Sequence, residues 1–168
     1  TGGPTWNRPF ADCSGLSATG TATPYSAQEF YVDAAGAYDF FSDQGGGGKS
    51  PNGGFDGFVF IYADSFNPAA PLTNCVEGND DANATIGLSE ILGLTLDANR
   101  TYVYVTTGFG NQDFGPFDNE IAGPGNITLG PAPVIENVAV DSMSNAGLLA
   151  LALVLGTCAA AAVSRARF

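Results

Sequence analysis

The run Phe55-Asp56-Gly57-Phe58-Val59-Phe60-Ile61-Tyr62 constrains this chain more than any other stretch. In an extended strand successive side chains point to opposite faces, and here both faces are apolar. Such a strand needs cover above and below, so it is expected in the centre of a sheet and buried on both sides. Arg100-Thr101-Tyr102-Val103-Tyr104-Val105-Thr106 is a second strong strand, introduced by the turn Leu96-Asp97-Ala98-Asn99. Gln28 to Val32 and Ala37 to Phe41 read as two strands across a turn at Gly36. Cys75-Val76, Leu88 to Leu92, Phe117 to Ile121 and Asn126 to Leu129 are weaker candidates. About eight short strands with turns every 8–12 residues predict a mostly β chain folded as an antiparallel β-sandwich.

Turn formers fill the gaps. Residues 1–26 read as irregular, and Gln44 to Gly54 as a loop. Gly48-Lys49-Ser50 has a superficial likeness to a phosphate-binding loop. The leading glycine at the required spacing is missing and no helix pattern follows, so phosphate binding is not expected. Pro131-Ala132-Pro133 marks the end of a domain over 1–130, and 131–145 reads as a connector.

Ala146 to Val163 are 18 residues without a charge, followed by Ser-Arg-Ala-Arg-Phe. As a C-terminal hydrophobic α-helix they span about 27 Å, near the lower limit for crossing a bilayer. Arg165 and Arg167 after the span place the C-terminus inside and the preceding domain outside. The stretch divides into a Leu-rich half (Leu148, Leu149, Leu151, Leu153, Leu155) and a small-residue half that includes Gly156, Ala159 and Ala161. Small residues let helix backbones approach closely. That favours self-association of these segments in a filament core over a lone lipid anchor. The alternative expectation is a membrane-anchored adhesin, or a module that binds carbohydrate or calcium.

The chain carries 17 acidic residues against five basic ones and no histidine. All the acids and three of the bases lie at or before Asp141, a net of −14 there. Such a surface repels nucleic-acid phosphates and anionic lipid headgroups. Without histidine the commonest general base and transition-metal ligand are missing. No Gly-x-Ser-x-Gly and no base partner for a Ser or Cys nucleophile occur. No enzymatic activity is expected.

Clustered carboxylates on loops suit a hard cation, and calcium is the cofactor expected. Asp56 opens the central strand, Asn79-Asp80-Asp81 form a turn, and Asp113, Asp118 and Glu120 fall in a second Gly-rich region. Asp56, Asp80, Asp81, Asp113 and Asp118 are the candidate ligands. The competing account is that Asp and Asn cap turns through their own backbone. The sequons at Asn83, Asn99 and Asn126 read as coincidental, and Trp6 as a plug at one end of the sandwich.

Of three cysteines, Cys13 and Cys75 lie in the polar body and Cys158 in the apolar tail. A Cys13–Cys75 disulfide is the simplest arithmetic and implies an extracytoplasmic compartment; two buried free thiols are the alternative. Thr1-Gly2-Gly3-Pro4 reads as a mature end left after removal of a signal peptide.

Two resemblances follow. Val140-Asp141-Ser142-Met143-Ser144-Asn145-Ala146-Gly147, with the hydrophobic span and basic end behind it, resembles the C-terminal sorting tails of Gram-negative surface proteins handled by exosortase-type systems. The variant opening Ile-Pro-Thr-Leu-Ser-Glu-Trp-Gly is matched at Ser144 and Gly147, and its proline, glutamate and tryptophan are absent here. Over residues 5–130, Thr5-Trp6-Asn7-Arg8-Pro9, Thr23-Pro24-Tyr25, Phe55-Asp56-Gly57-Phe58, Phe66-Asn67-Pro68, Pro71-Leu72-Thr73-Asn74-Cys75 and Asn79-Asp80-Asp81 resemble sandwich modules similar to pre-peptidase C-terminal domains. That resemblance implies a jelly-roll-like fold and an extracellular, non-catalytic role. Together they imply a bacterial cell-surface protein; the small-residue half of the span adds the expectation of a structural protein whose main partner is itself, with a membrane contact during export.

Overall fold

The computed structural model describes residues 3–45 and 54–134. The expected helix over 146–163, its leucine and alanine positions, Cys158, Arg165 and Arg167 lie outside the described residues, as do Lys49 and most of its loop. Residues up to Pro133 form one compact unit.

The described residues of this unit form nine strands: β1 (Thr5–Trp6), β2 (Thr23–Val32), β3 (Gly36–Asp43), β4 (Gly57–Ala63), β5 (Cys75–Asn79), β6 (Leu88–Leu96), β7 (Tyr102–Gly108), β8 (Asp118–Ala122) and β9 (Ile127–Leu129). All pairings between them are antiparallel. The larger sheet runs β1-β2-β7-β4-β5 with β9 also on β2, and the smaller runs β6-β3-β8. The two form a β-sandwich-like fold, and among the described residues there is no helix.

The central strand behaves as its sequence requires. Every residue of β4 is buried, and so is every residue of its neighbour β7. Val59, Ile61 and Ala63 of β4 join Tyr102 and Tyr104 of β7 in an inner core with Phe30, Val32, Tyr38, Phe40, Ile91 and Leu96. The alternate residues Phe58, Phe60, Tyr62, Val103 and Val105 face the other way, into a second core with Trp6. The smaller sheet covers the first face. The second face is covered by loops, through Trp6, Ala11, Phe66 and Phe109. Burying each of these large side chains contributes roughly 1.5–3 kcal/mol, so the loop layer is a core in its own right.

Trp6 lies in that second core at 3% exposure. Its ring stands edge-on to Phe66 (5.1 Å), Phe60 (5.5 Å), Tyr25 (5.9 Å) and Tyr62 (6.3 Å). Its indole N–H donates to Thr107 Oγ1 at 3.0 Å. The Cys13–Cys75 disulfide joins the N-terminal segment to the start of β5. It thereby closes the loop layer over the sheet.

Two readings need correction. The strands flanking Gly36 do not pair with each other: β2 belongs to the larger sheet and β3 to the smaller. Phe30 and Phe40 meet from opposite sheets, with ring centroids 5.8 Å apart. Apolar residues on both strands are better satisfied by sharing one core than by lying side by side. Asp33 holds the crossing by accepting from the Asn126 backbone N–H and side-chain amide, both at 2.7 Å. Strand β6 also continues past Leu92, where the sequence suggests an end, to Leu96. Gly93 adopts φ +69° and the register with β3 shifts between Tyr38 and Phe40. A glycine that looks like a strand end is a β-bulge, with its N–H donating to Asp39 Oδ1 at 2.7 Å.

Candidate metal centre

The β4–β5 register brings the acids together. Val59 lies opposite Asn79, so the residues just before β4 meet those just after β5. One carboxylate oxygen from each of Asp56, Asp80 and Asp81 falls within 4.8 Å of the others. Calcium ligands sit about 2.3–2.6 Å from the ion, so oxygens on opposite sides of it are about 5 Å apart. The three carboxylates have the spacing of ligands to one ion.

The surrounding backbone fixes the group. Asp56 C=O accepts from Phe109 N–H at 2.9 Å. Asp80 C=O accepts from Ser89 Oγ–H, and Asn79 Oδ1 from Glu90 N–H at 3.0 Å. Gln44, fully buried, donates from Nε2 to Ser89 Oγ at 3.2 Å and crosses Gly57 where no Cβ fits. Among the described residues, Asp80 Oδ1, Asp81 Oδ1 and Gln44 Oε1 are buried atoms without a hydrogen-bond partner. Orphaned acceptors of this kind are costly unless a cation or a proton meets them.

Arg8 supplies a nearby positive charge. It is 2% exposed, held between the rings of Phe58 (4.3 Å) and Phe109 (4.8 Å), and donates to the carbonyls of Phe109 and Pro9. Its own hydrogen bonds go to carbonyls, so it offsets the carboxylates through space and does not pair with them. Burial, then Asp81 and Asp56, push Asp80 up to about 6 against the pull of Arg8. Burial, then Asp81 and Asp113, also raise Asp56.

The other two candidates sit elsewhere. Asp113 follows β7, close enough to raise Asp56, but its Oδ2 accepts from Gly110 N–H at 2.8 Å and caps its own turn. Asp118 is exposed at the start of β8, opposite Asp43. Turn capping also accounts for Asp12 and Asp33, whose carboxyls are held below the usual range by bonds from Ser14 and Asn126. Arg8, Gln44 and Ser89 were not in the sequence-based set. The available signal was Arg8 flanked by Trp6 and Phe10, an isolated cation among aromatics.

No protein-family model, curated protein or solved structure matches the chain.

The raised Asp80 gives a pH test with a definite sign. An acid whose folded pKa exceeds its unfolded value (about 3.9) takes up a proton on folding, so stability rises as pH falls from about 6 towards 4. The lowered carboxyls Asp12, Asp33 and Asp64 work oppositely, but their loss comes below about pH 4. Calcium-free protein is therefore expected to melt higher at about pH 5 than at about pH 7. Thermal melts across that range check it, and a curve that falls monotonically with acid contradicts the assignment.

Proposed function

We propose that this chain is a non-catalytic structural protein of the bacterial cell surface, exported and oxidised, whose sandwich is displayed outside. Its C-terminal hydrophobic segment builds the core of an extracellular filament. The observation that carries the reading is the pairing of a disulfide-closed two-core sandwich with the charge-free span 146–163. Reducing compartments do not keep such bonds, and an apolar span of that length demands burial against lipid or its own copies. The strand pairs support the jelly-roll-like form: β4 with β5, β3 with β6 and β2 with β7 are the nested pairs of one long hairpin wrapped alternately into two sheets. The −14 bodies repel each other and stay outermost, while Arg165 and Arg167 end each tail near the negative pole of its helix.

The test is negative-stain imaging of shed material together with membrane partition. Polymers are expected from the whole chain and none after deletion of residues 146–168. Ala159→Leu or Ala161→Leu disturbs close packing by roughly 1–3 kcal/mol, so polymer yield falls while membrane partition holds or rises. Wild type retained in membranes without polymers favours the anchored adhesin instead.

Within the same sandwich, Asp56, Asp80 and Asp81 bind calcium. The spacing of their oxygens and the orphaned Asp80 and Asp81 atoms favour this second reading. At about pH 7, calcium at a hundredfold excess over Kd is expected to add about 2.7 kcal/mol. Asp80→Asn removes that increment, yet raises the melting temperature of calcium-free protein by relieving repulsion. Identical melts in calcium and chelator for wild type argue for turn capping alone.

A further inference from the structure

A concavity lies beside the carboxylate trio, with Phe55 and Asp113 in its lining. The smaller sheet ends at β8, whereas the larger continues to β2, whose Ser26, Ala27, Gln28 and Glu29 stay exposed. Where β2 begins and β7 ends, a solvent-open cleft of about 430 Å³ is lined by Tyr25, Ser26, Phe55, Asp113, Phe114 and Phe117, among others. This volume lies within the roughly 300–1,000 Å³ range of small-ligand sites. Phe114 is 49% exposed, and Tyr25, Phe55 and Phe117 are partly so. Four aromatic side chains sharing one open cleft is more apolar surface than stray exposure explains.

We infer that this cleft is a binding site for the pyranose rings of a neutral glycan. A pyranose presents an apolar C–H face and a rim of hydroxyls, so it needs aromatic faces and fixed acceptors together. Asp113 supplies the acceptor. Gly110 N–H holds its Oδ2, which sets the carboxylate's direction, and its other oxygen has no hydrogen-bond partner among the described residues. A purely aliphatic ligand would bury that oxygen unpaired, at a cost. None of the described lining residues is cationic, and Asp113 lies near Asp56, so the described lining repels acidic sugars and phosphates. The site goes beyond the structural role proposed above and stands or falls without it.

The test is calorimetric titration of the full chain in a detergent whose headgroup is not a sugar. The probes are cellohexaose, laminarihexaose, chitohexaose and mannohexaose, with sialyllactose and tetramethylammonium chloride as anionic and cationic comparisons. Submillimolar binding of at least one neutral oligosaccharide is expected, with neither comparison binding. Phe114→Ala is expected to weaken it tenfold or more with an unchanged thermal melt, and Asp113→Asn to weaken it tenfold or more. If Phe114→Ala does not fold, Phe114→Leu keeps the apolar bulk and removes the ring face, and the same loss is expected. No neutral oligosaccharide binding at millimolar concentration overturns the inference. So does binding that Phe114 variants leave unchanged. Tetramethylammonium binding that the same variants abolish reassigns the cleft to cations and also overturns it.

Discussion

Removing the Cys13–Cys75 bond lowers the melting temperature by roughly 10–20 °C. The bond joins residues 62 apart, and cross-linking a loop of that length stabilises by about 4 kcal/mol through the unfolded chain. For a unit of this size each kcal/mol moves the midpoint by about 3–5 °C. The folded state contributes too. The segment that Cys13 anchors carries Ala11 and follows Trp6, both part of the outer core, and Gly78 N–H donates to Ala11 C=O at 2.8 Å. Cys13→Ser with Cys75→Ser, both on a Cys158→Ala background, separates this effect from stray thiol chemistry. Non-reducing mass mapping of the wild type should recover the Cys13–Cys75 peptide pair. A shift of less than about 3 °C, under 1 kcal/mol, would mean that packing alone holds the loop layer.

The sheet was legible in the sequence where side chains alone dictate it. Phe58 to Tyr62 and Tyr102 to Val105 are apolar on both faces, and both strands are buried throughout. The disulfide was legible from position, since Cys13 and Cys75 share the polar body. Partnership between elements was less so. Whether Gly36 opens a hairpin or a crossing depends on which core Phe30, Val32, Tyr38 and Phe40 share, and local pattern does not state that. The same limit applies to the carboxylates. Composition offers five candidates, and only the β4–β5 register picks Asp56, Asp80 and Asp81 from them. Asp118 has the same chemistry, but its register partner is Asp43 on β3. Gln44 carries no signal at all in sequence, because its role follows from Gly57 leaving room beside Ser89.

Trp6→Ala is expected to cost about 3–5 kcal/mol, the range for large aromatic truncations in a core. Trp6 is the only tryptophan, so hydrogen exchange and near-ultraviolet dichroism of the remaining aromatics must report on the mutant. Trp6→Phe is the milder probe. It keeps an edge-on ring but removes the N–H that Thr107 Oγ1 accepts. Thr107 still donates to Pro24 C=O at 2.7 Å and lies 3.1 Å from Thr23 Oγ1, so no group is stranded and the loss is about 1–2 kcal/mol. The informative measurement combines Trp6→Ala with loss of the disulfide. Both changes strip the same loop layer from β4 and β7. Once the indole is gone, that layer holds the sheet less tightly, and the bond has less native packing to keep in place. The combined loss is therefore expected to fall short of the two single losses by at least about 1 kcal/mol. Strict additivity in denaturant melts would show that the bond acts only on the unfolded chain and that Trp6 packs independently of it.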